Sequence, residues 1–207
     1  MAYSIITISR EFGTGARLIG RQLAELLGYG YYDRALIEMS AEKSGLSEEF
    51  IERTEEKASN SFLYNLATAA YISSDMGMQY SVPVNDRAFM VQSDVIREIA
   101  NKENSVIVGR CADYILKDHP KLLRVFIYAD KADRINRIIN EYGNSPKTAE
   151  STLNKIDKGR ANYHKFYTGT AWKSLENYDI CINTSTTGIK GAVMAIKAAA
   201  EEKFGKD

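Results

Sequence analysis

The residues that most constrain this chain lie between a short β-branched run and the start of a helical period: Ile8-Ser9-Arg10-Glu11-Phe12-Gly13-Thr14-Gly15-Ala16-Arg17. Upstream, Ser4–Ile8 is too short for a helix and apolar enough for a strand buried on both faces. Downstream, Ile19, Leu23, Leu26 and Leu27 recur on one face of a helix that Gly28 can terminate. Gly13 and Gly15 permit positive φ and close backbone approach, and the first N–H groups of the helix point outward. A strand, a glycine turn and a helix N-terminus in that order make a cradle for an anion, by geometry and by the helix dipole. Ser4 to Gly28 therefore reads as a site for the phosphates of a nucleotide.

Compared with the phosphate-loop pattern G-x-x-x-x-G-K-[ST], the segment departs at three positions. Aligned on Gly15, Arg10 stands at the first glycine, Ala16 at the lysine and Arg17 at the Ser/Thr. By pattern alone, an ordinary βα turn with two glycines stays open beside a phosphate site. Charge tips the balance, because Arg10, Arg17 and Arg21 lie within reach of the loop, and a guanidinium can grip phosphate oxygens bidentately. Arg10, Gly13, Thr14, Gly15, Ala16, Arg17 and Leu18 are the expected donor-phosphate residues.

Further along, Ser105–Gly109, Leu122–Tyr128 and Tyr178–Asn183 read as buried strands, with Tyr29–Tyr32 a weaker candidate. Helical periods fill the intervals, notably Ala132–Tyr142 and Ile189–Phe204, so an α/β fold with a mainly parallel sheet and helices on both faces is predicted. From about 35 to 102 no strand is evident, which predicts a helical lobe inserted after the second strand. Ser81–Asn85 around Pro83 and Asn144–Lys147 around Pro146 read as loops, and Thr186-Thr187-Gly188 as the cap of the last helix.

With 207 residues, 44% of them hydrophobic, the chain fits one compact domain with an appended lobe. Lys plus Arg equals Asp plus Glu at 27 each, which gives no sign of a nucleic-acid partner. No segment approaches the ~20 apolar residues of a membrane span, and no basic leader precedes an apolar run. Cys111 and Cys181 stand far apart, outside any metal-ligand spacing, and read as reduced thiols of a cytoplasmic protein. No residue is assigned as a metal ligand, and the oligomeric state stays open.

The blocks ITISREFGTGARLIGRQLAELLG and YYDRALI, then VGRCADYIL, RVFIYADKADRINRI and DKGRANYHKFYTG…WKSLENYDICINTS, together resemble the cytidylate kinase-like proteins, in order and over nearly the whole chain. That family belongs to the nucleoside monophosphate kinase branch of the P-loop NTPases and has an altered phosphate loop. The resemblance implies a five-stranded parallel sheet, a monophosphate-binding helical lobe, and a lid at about 140–170. It also implies transfer of a phosphoryl group from ATP, with Mg2+, to a small phosphate acceptor, cytidylate by default. By the same resemblance Arg17, Arg110, Arg134, Arg137 and Arg160 are catalytic candidates, with Lys158 beside Arg160. Asp33, Arg34, Gly109, Arg110 and Asp113 are acceptor-site candidates. The family's Gly-Arg-Asp is interrupted here by Cys111 and Ala112, which loosens the match at Asp113. Two other readings follow from the departures: a nucleotide- or anion-binding regulator without transfer activity, from Ala16, and a kinase for a non-nucleotide small molecule, from Cys111-Ala112.

The bland alternatives are specific. Asp33 could simply cap a helix, Arg134 and Arg137 could be the polar face of one, and the aromatics from Tyr163 to Tyr167 are read as packing before base stacking. His119 and His164 are given no catalytic or ligand role.

Overall fold

The computed structural model describes residues 2–53 and 84–205. Five parallel strands form one sheet: β1 (Ile5–Arg10), β2 (Gly30–Tyr32), β3 (Ser105–Val108), β4 (Leu122–Tyr128) and β5 (Ile180–Asn183), in the order β2-β3-β1-β4-β5. The predicted α/β architecture is therefore the observed one. The central strand β1 is buried along its whole length, as expected of a parallel strand covered on both faces.

Alternation along β1 divides the core. Ile6 and Ile8 point to one face and meet Ile19 and Leu23 of α1 (Ala16–Leu27) with Val193 and Ile196 of the C-terminal helix α7 (Thr184–Phe204). Ile5 points to the other face, against Val95, Ile96 and Ile99 of α3 (Val84–Ala100) and Leu36 of α2 (Arg34–Ser44). Each fully buried Ile or Leu in these layers contributes roughly 1.5–3 kcal/mol of apolar transfer. The strands pair in nearly level register, Ile5 beside both Ser105 and Leu122, which brings the carboxyl ends of β1, β3 and β4 to one edge. In open α/β sheets that edge lines the ligand crevice.

Several boundaries differ from the sequence reading. Gly28 does end α1, in the left-handed conformation. Pro146, read as a loop residue, is instead the first residue of α6 (Pro146–Thr168), with the Ser145 side chain accepting the Lys147 N–H as its cap. Proline fits there because its missing N–H would be unsatisfied anyway. The last helix starts at Thr184, capped by Asn183, and breaks at Gly188 (φ 64°, ψ 179°) before continuing from Ile189. Between β2 and β3 the described residues are helical or connecting, and residues 54–83 of the helical lobe expected at about 35–102 lie outside the described residues. The loop expected around Pro83 lies outside the described residues up to 83, while Val84 and Asn85 are helical. Among the described residues, no helix is long and apolar enough to cross a membrane.

Candidate active site

The loop between β1 and α1 has the predicted conformation. Gly13 and Gly15 both take positive φ, 80° and 79°, and the N-cap of α1 is Gly15 itself. Backbone leaves no room for a side chain at Gly13, and at Gly15 only the movable tip of Ile189 stands in the way. A Cβ on Gly13 would lie 2.8 Å from the Arg134 carbonyl oxygen, and one on Gly15 would lie 2.5 Å from Ile189 Cδ1. Thr14 is buried; its hydroxyl donates to the Glu11 carbonyl (2.9 Å) and its own carbonyl accepts from the Thr184 hydroxyl (3.1 Å). Ala16, at the lysine position, is buried, and Leu18 is exposed at the outer side of the first turn.

The arginines surround this loop in distinct roles. Arg137, on α5 (Lys131–Asn140), donates from Nη1 to the Gly13 carbonyl (3.1 Å), and from Nε to Glu141 (3.2 Å). Its guanidinium carbon lies 3.6 Å from where a Gly15 Cβ would be, so its charge sits on the glycine turn. Arg17 is directed elsewhere, its Nε 2.8 Å from Asp33 Oδ2, with its side chain two-thirds exposed. Arg10 is buried, with its guanidinium against the α-carbon of Gly109. Arg160, on α6, donates to the Arg10 carbonyl (3.2 Å) and lies 5.7 Å from the centre of the Phe12 ring.

Arg134 is buried and turned into the back of the loop. Its Nη1 donates to Asp157 (2.6 Å) and to the Phe12 carbonyl (3.3 Å), and its Nε lies 3.5 Å from Glu11. Asp157 also accepts the Phe12 N–H (2.8 Å). Glu11 is ion-paired with Lys173 as well. Buried Glu11 and Arg134, with partly buried Asp157 beside Arg134 and exposed Lys173 at the rim, brace the loop from behind. Glu11, Asp157 and Lys173 were not among the expected site residues, because their partners come from three separate parts of the chain. Beside them, Lys158, Lys165, Lys173 and Trp172 line a cleft of about 420 Å³ between α6 and the turn that follows it.

Two tyrosines flank the mouth. Tyr142, just past α5, lays its ring 5.7 Å from that of Phe12. Burial pushes its hydroxyl above the ordinary tyrosine value, while Arg137, Arg17 and the Gly15 N–H pull the other way. Tyr31 on β2 donates to the Arg17 carbonyl (3.2 Å), and burial, with Asp33 nearby, lifts its hydroxyl to about 12.

On the acceptor side, Asp33 occupies the N-cap position of α2 but makes no capping bond; its carboxylate faces Arg17 instead. Arg34 is largely exposed and pairs with Glu38 and Glu48, apart from the loop. Gly109, Arg110 and Cys111 form a corner at the end of β3 with three successive positive φ angles, 80°, 58° and 54°. Arg110 is buried and donates from Nη1 to the Ile51 carbonyl (3.1 Å), toward the segment that follows α2. Asp113, in the short helix α4 (Ala112–Ile115), is buried and bonded to His164, 3.2 Å from Oδ2 to Nε2. His164, given no catalytic or ligand role by the sequence reading, is a buried hydrogen-bond partner of a predicted site residue. The aromatic cluster is packing, as expected: Phe89 and Tyr167 stack at 4.0 Å, and Tyr163 meets both edge-on.

The model of the cytidylate kinase-like family matches residues 5–186. A cytidylate kinase of Thermoplasma volcanium is 24% identical over 181 residues, 86% of this chain and 82% of the relative. Among solved structures, a protein of Eubacterium ventriosum superposes with a TM-score of 0.70 at 28% identity, over 96% of this chain and 98% of its own. A shikimate kinase of Acinetobacter baumannii, crystallised with shikimate, shares the fold at a TM-score of 0.55 and 17% identity, over 99% of this chain and 96% of its own.

Proposed function

Because the chain belongs to the cytidylate kinase-like family, we propose that it transfers the terminal phosphoryl group of ATP to a nucleoside monophosphate, cytidylate by default. The observation that carries this reading is the glycine turn itself, left-handed at Gly13 and Gly15 and opening directly onto the N-terminus of α1. Outward N–H groups there suit the donor phosphates. With Ala16 in the lysine position, Arg137 is the cation we assign to those phosphates, since its guanidinium already lies on the turn. Arg17 then serves with Asp33 at the edge of the site. Arg10, Arg110 and Arg160 approach from the acceptor side, and Arg134 acts through the loop it braces.

Phosphoryl transfer asks little covalent work of a protein; it needs the reactants in line and the developing charge neutralised. Arginines arriving from β1, the β3 corner, α5 and α6 suit that task. Among the described residues no group of three His, Cys, Asp or Glu stands together. Magnesium would arrive with the donor phosphates, keeping most of its water and taking one or two carboxylates. Asp33, beside the first turn of α1, is the carboxylate this chain would offer.

A coupled ADP-release assay across nucleoside monophosphates, with ATP and magnesium, tests the reading; turnover is expected with cytidylate. Folded protein that binds ATP by calorimetry yet turns over no acceptor would instead support the nucleotide-binding regulator to which Ala16 points. Arg137→Ala should weaken ATP binding more than Arg17→Ala, and the reverse order would move the assigned cation to Arg17.

A further inference from the structure

The corner at the end of β3 is the one place among the described residues where side-chain-bearing positions are held at positive φ, at Arg110 and Cys111. Each such residue costs about 1–2 kcal/mol, and the conformation persists only where its surroundings over-determine it. The near side of the corner is fixed by backbone. Gly109 N–H donates to Ile8 O (3.0 Å), and Ala112 N–H donates back to Gly109 O (3.1 Å). The far side runs into α4, where the Cys111 carbonyl accepts from the Tyr114 and Ile115 N–H groups (3.0 and 2.9 Å) and the buried Asp113 carboxylate adds a side-chain anchor.

His164 meets that carboxylate from α6. Its side chain is 4% exposed and that of Asp113 is 6% exposed, so neither has water as an alternative partner. An ionised carboxylate only accepts hydrogen bonds, so Nε2 must carry a proton. The other ring nitrogen lies 3.1 Å from the Thr168 hydroxyl and 3.3 Å from the Thr170 carbonyl oxygen. In a neutral ring Nδ1 can accept from the hydroxyl; in a charged ring it can donate to the carbonyl. Both arrangements leave the Nε2–H on Asp113. The same face of α6 carries Asp157 and Arg160, which bond the phosphate loop at Phe12 and Arg10. One helix therefore grips the loop and the corner together.

We propose that His164 is a positioning residue: through its Nε2–H bond to Asp113 it clamps the left-handed corner and thereby aims Arg110 at the acceptor. This rests on the acceptor role given to Arg110 above. The clamp is tested by comparing His164→Gln, whose amide nitrogen can reach the Nε2 position, with His164→Leu and His164→Asn, which cannot donate there. With cytidylate as the acceptor probe, Leu and Asn should raise the acceptor KM about tenfold, the scale of leaving one buried acceptor unsatisfied. The KM for ATP should stay within about twofold, and Gln should restore the acceptor KM. Equal changes in both KM values, no change in either, or a Gln variant as impaired as Asn would overturn the proposal. If Leu fails to fold, the Gln–Asn pair decides. Should the wild type turn over no acceptor, the kinase reading fails on its own. The clamp is then read from amide exchange, which must quicken at Gly109, Cys111 and Ala112 in His164→Asn but not in His164→Gln. Exchange there that matches wild type in both variants would overturn it.

Discussion

Two corners at the carboxyl edge of the sheet use left-handed backbone in opposite ways. The β1–α1 loop places glycine at both positive-φ positions, Gly13 and Gly15, whereas the β3–α4 corner uses one glycine and then Arg110 and Cys111. In the loop, the Arg134 backbone leaves no space for a Cβ on Gly13 and the positive φ disfavours one on Gly15, and the groups proposed to bind phosphate are backbone N–H donors. In the corner the group proposed to meet the acceptor is a side chain, so on that proposal the strain must be borne by a residue that has one. On the proposed function, a loop that binds through its backbone can use glycine, whereas a corner that presents a guanidinium must be held from outside.

The largest expected effect comes from removing what holds the loop. Asp157→Ala takes away the acceptor of the Phe12 N–H and one of the two carboxylates around buried Arg134. It should cost about 3 kcal/mol, read from chemical denaturation. A loss below about 1 kcal/mol would mean that the brace behaves like a surface pair.

Gly13→Ala comes next, at about 2–3 kcal/mol, because the new Cβ meets the Arg134 backbone at an unfavourable φ. ATP binding, followed by calorimetry, should fall below detection in the same variant. A stable variant with intact ATP affinity would break the contrast drawn here between the two corners.

Asp179 offers a reference far from either corner, at the start of β5. Burial pushes its carboxyl up, but Arg124 and Lys203 outweigh that and hold it at about 2. A depressed folded value means stability present above the ordinary pKa of about 4 and lost as pH falls through about 2. Asp179→Asn should therefore cost at most about 2 kcal/mol at neutral pH, and the difference from wild type should vanish in acid. A difference that persists unchanged at low pH would trace it to packing instead of charge.

Cys111→Gly should show the smallest effect, within about 1 kcal/mol of wild type. Relief of the positive φ offsets the loss of a thiol packed against Tyr163. Thermal unfolding measures it, and a loss above about 2 kcal/mol would show that the thiol's packing, not backbone strain, governs the corner.

Local patterning was enough for the α/β class, the glycine turn after β1 and the end of α1 at Gly28. These depend on local properties: β-branched runs, helical period and the tolerance of glycine for positive φ. The ordered motif blocks carried the resemblance to the cytidylate kinase-like family, which the family match over residues 5–186 bears out. Tertiary structure alone decided which charges face the loop. Arg17 and Arg137 look alike in the sequence, yet one reaches Asp33 and the other the Gly13 carbonyl. Glu11, Asp157 and Lys173 became a loop brace, and His164 a partner of Asp113, only once α6 was packed across the sheet edge. Such pairings join residues up to 162 positions apart, where no periodicity carries a signal, and burial decides which of many equivalent charges must find one another.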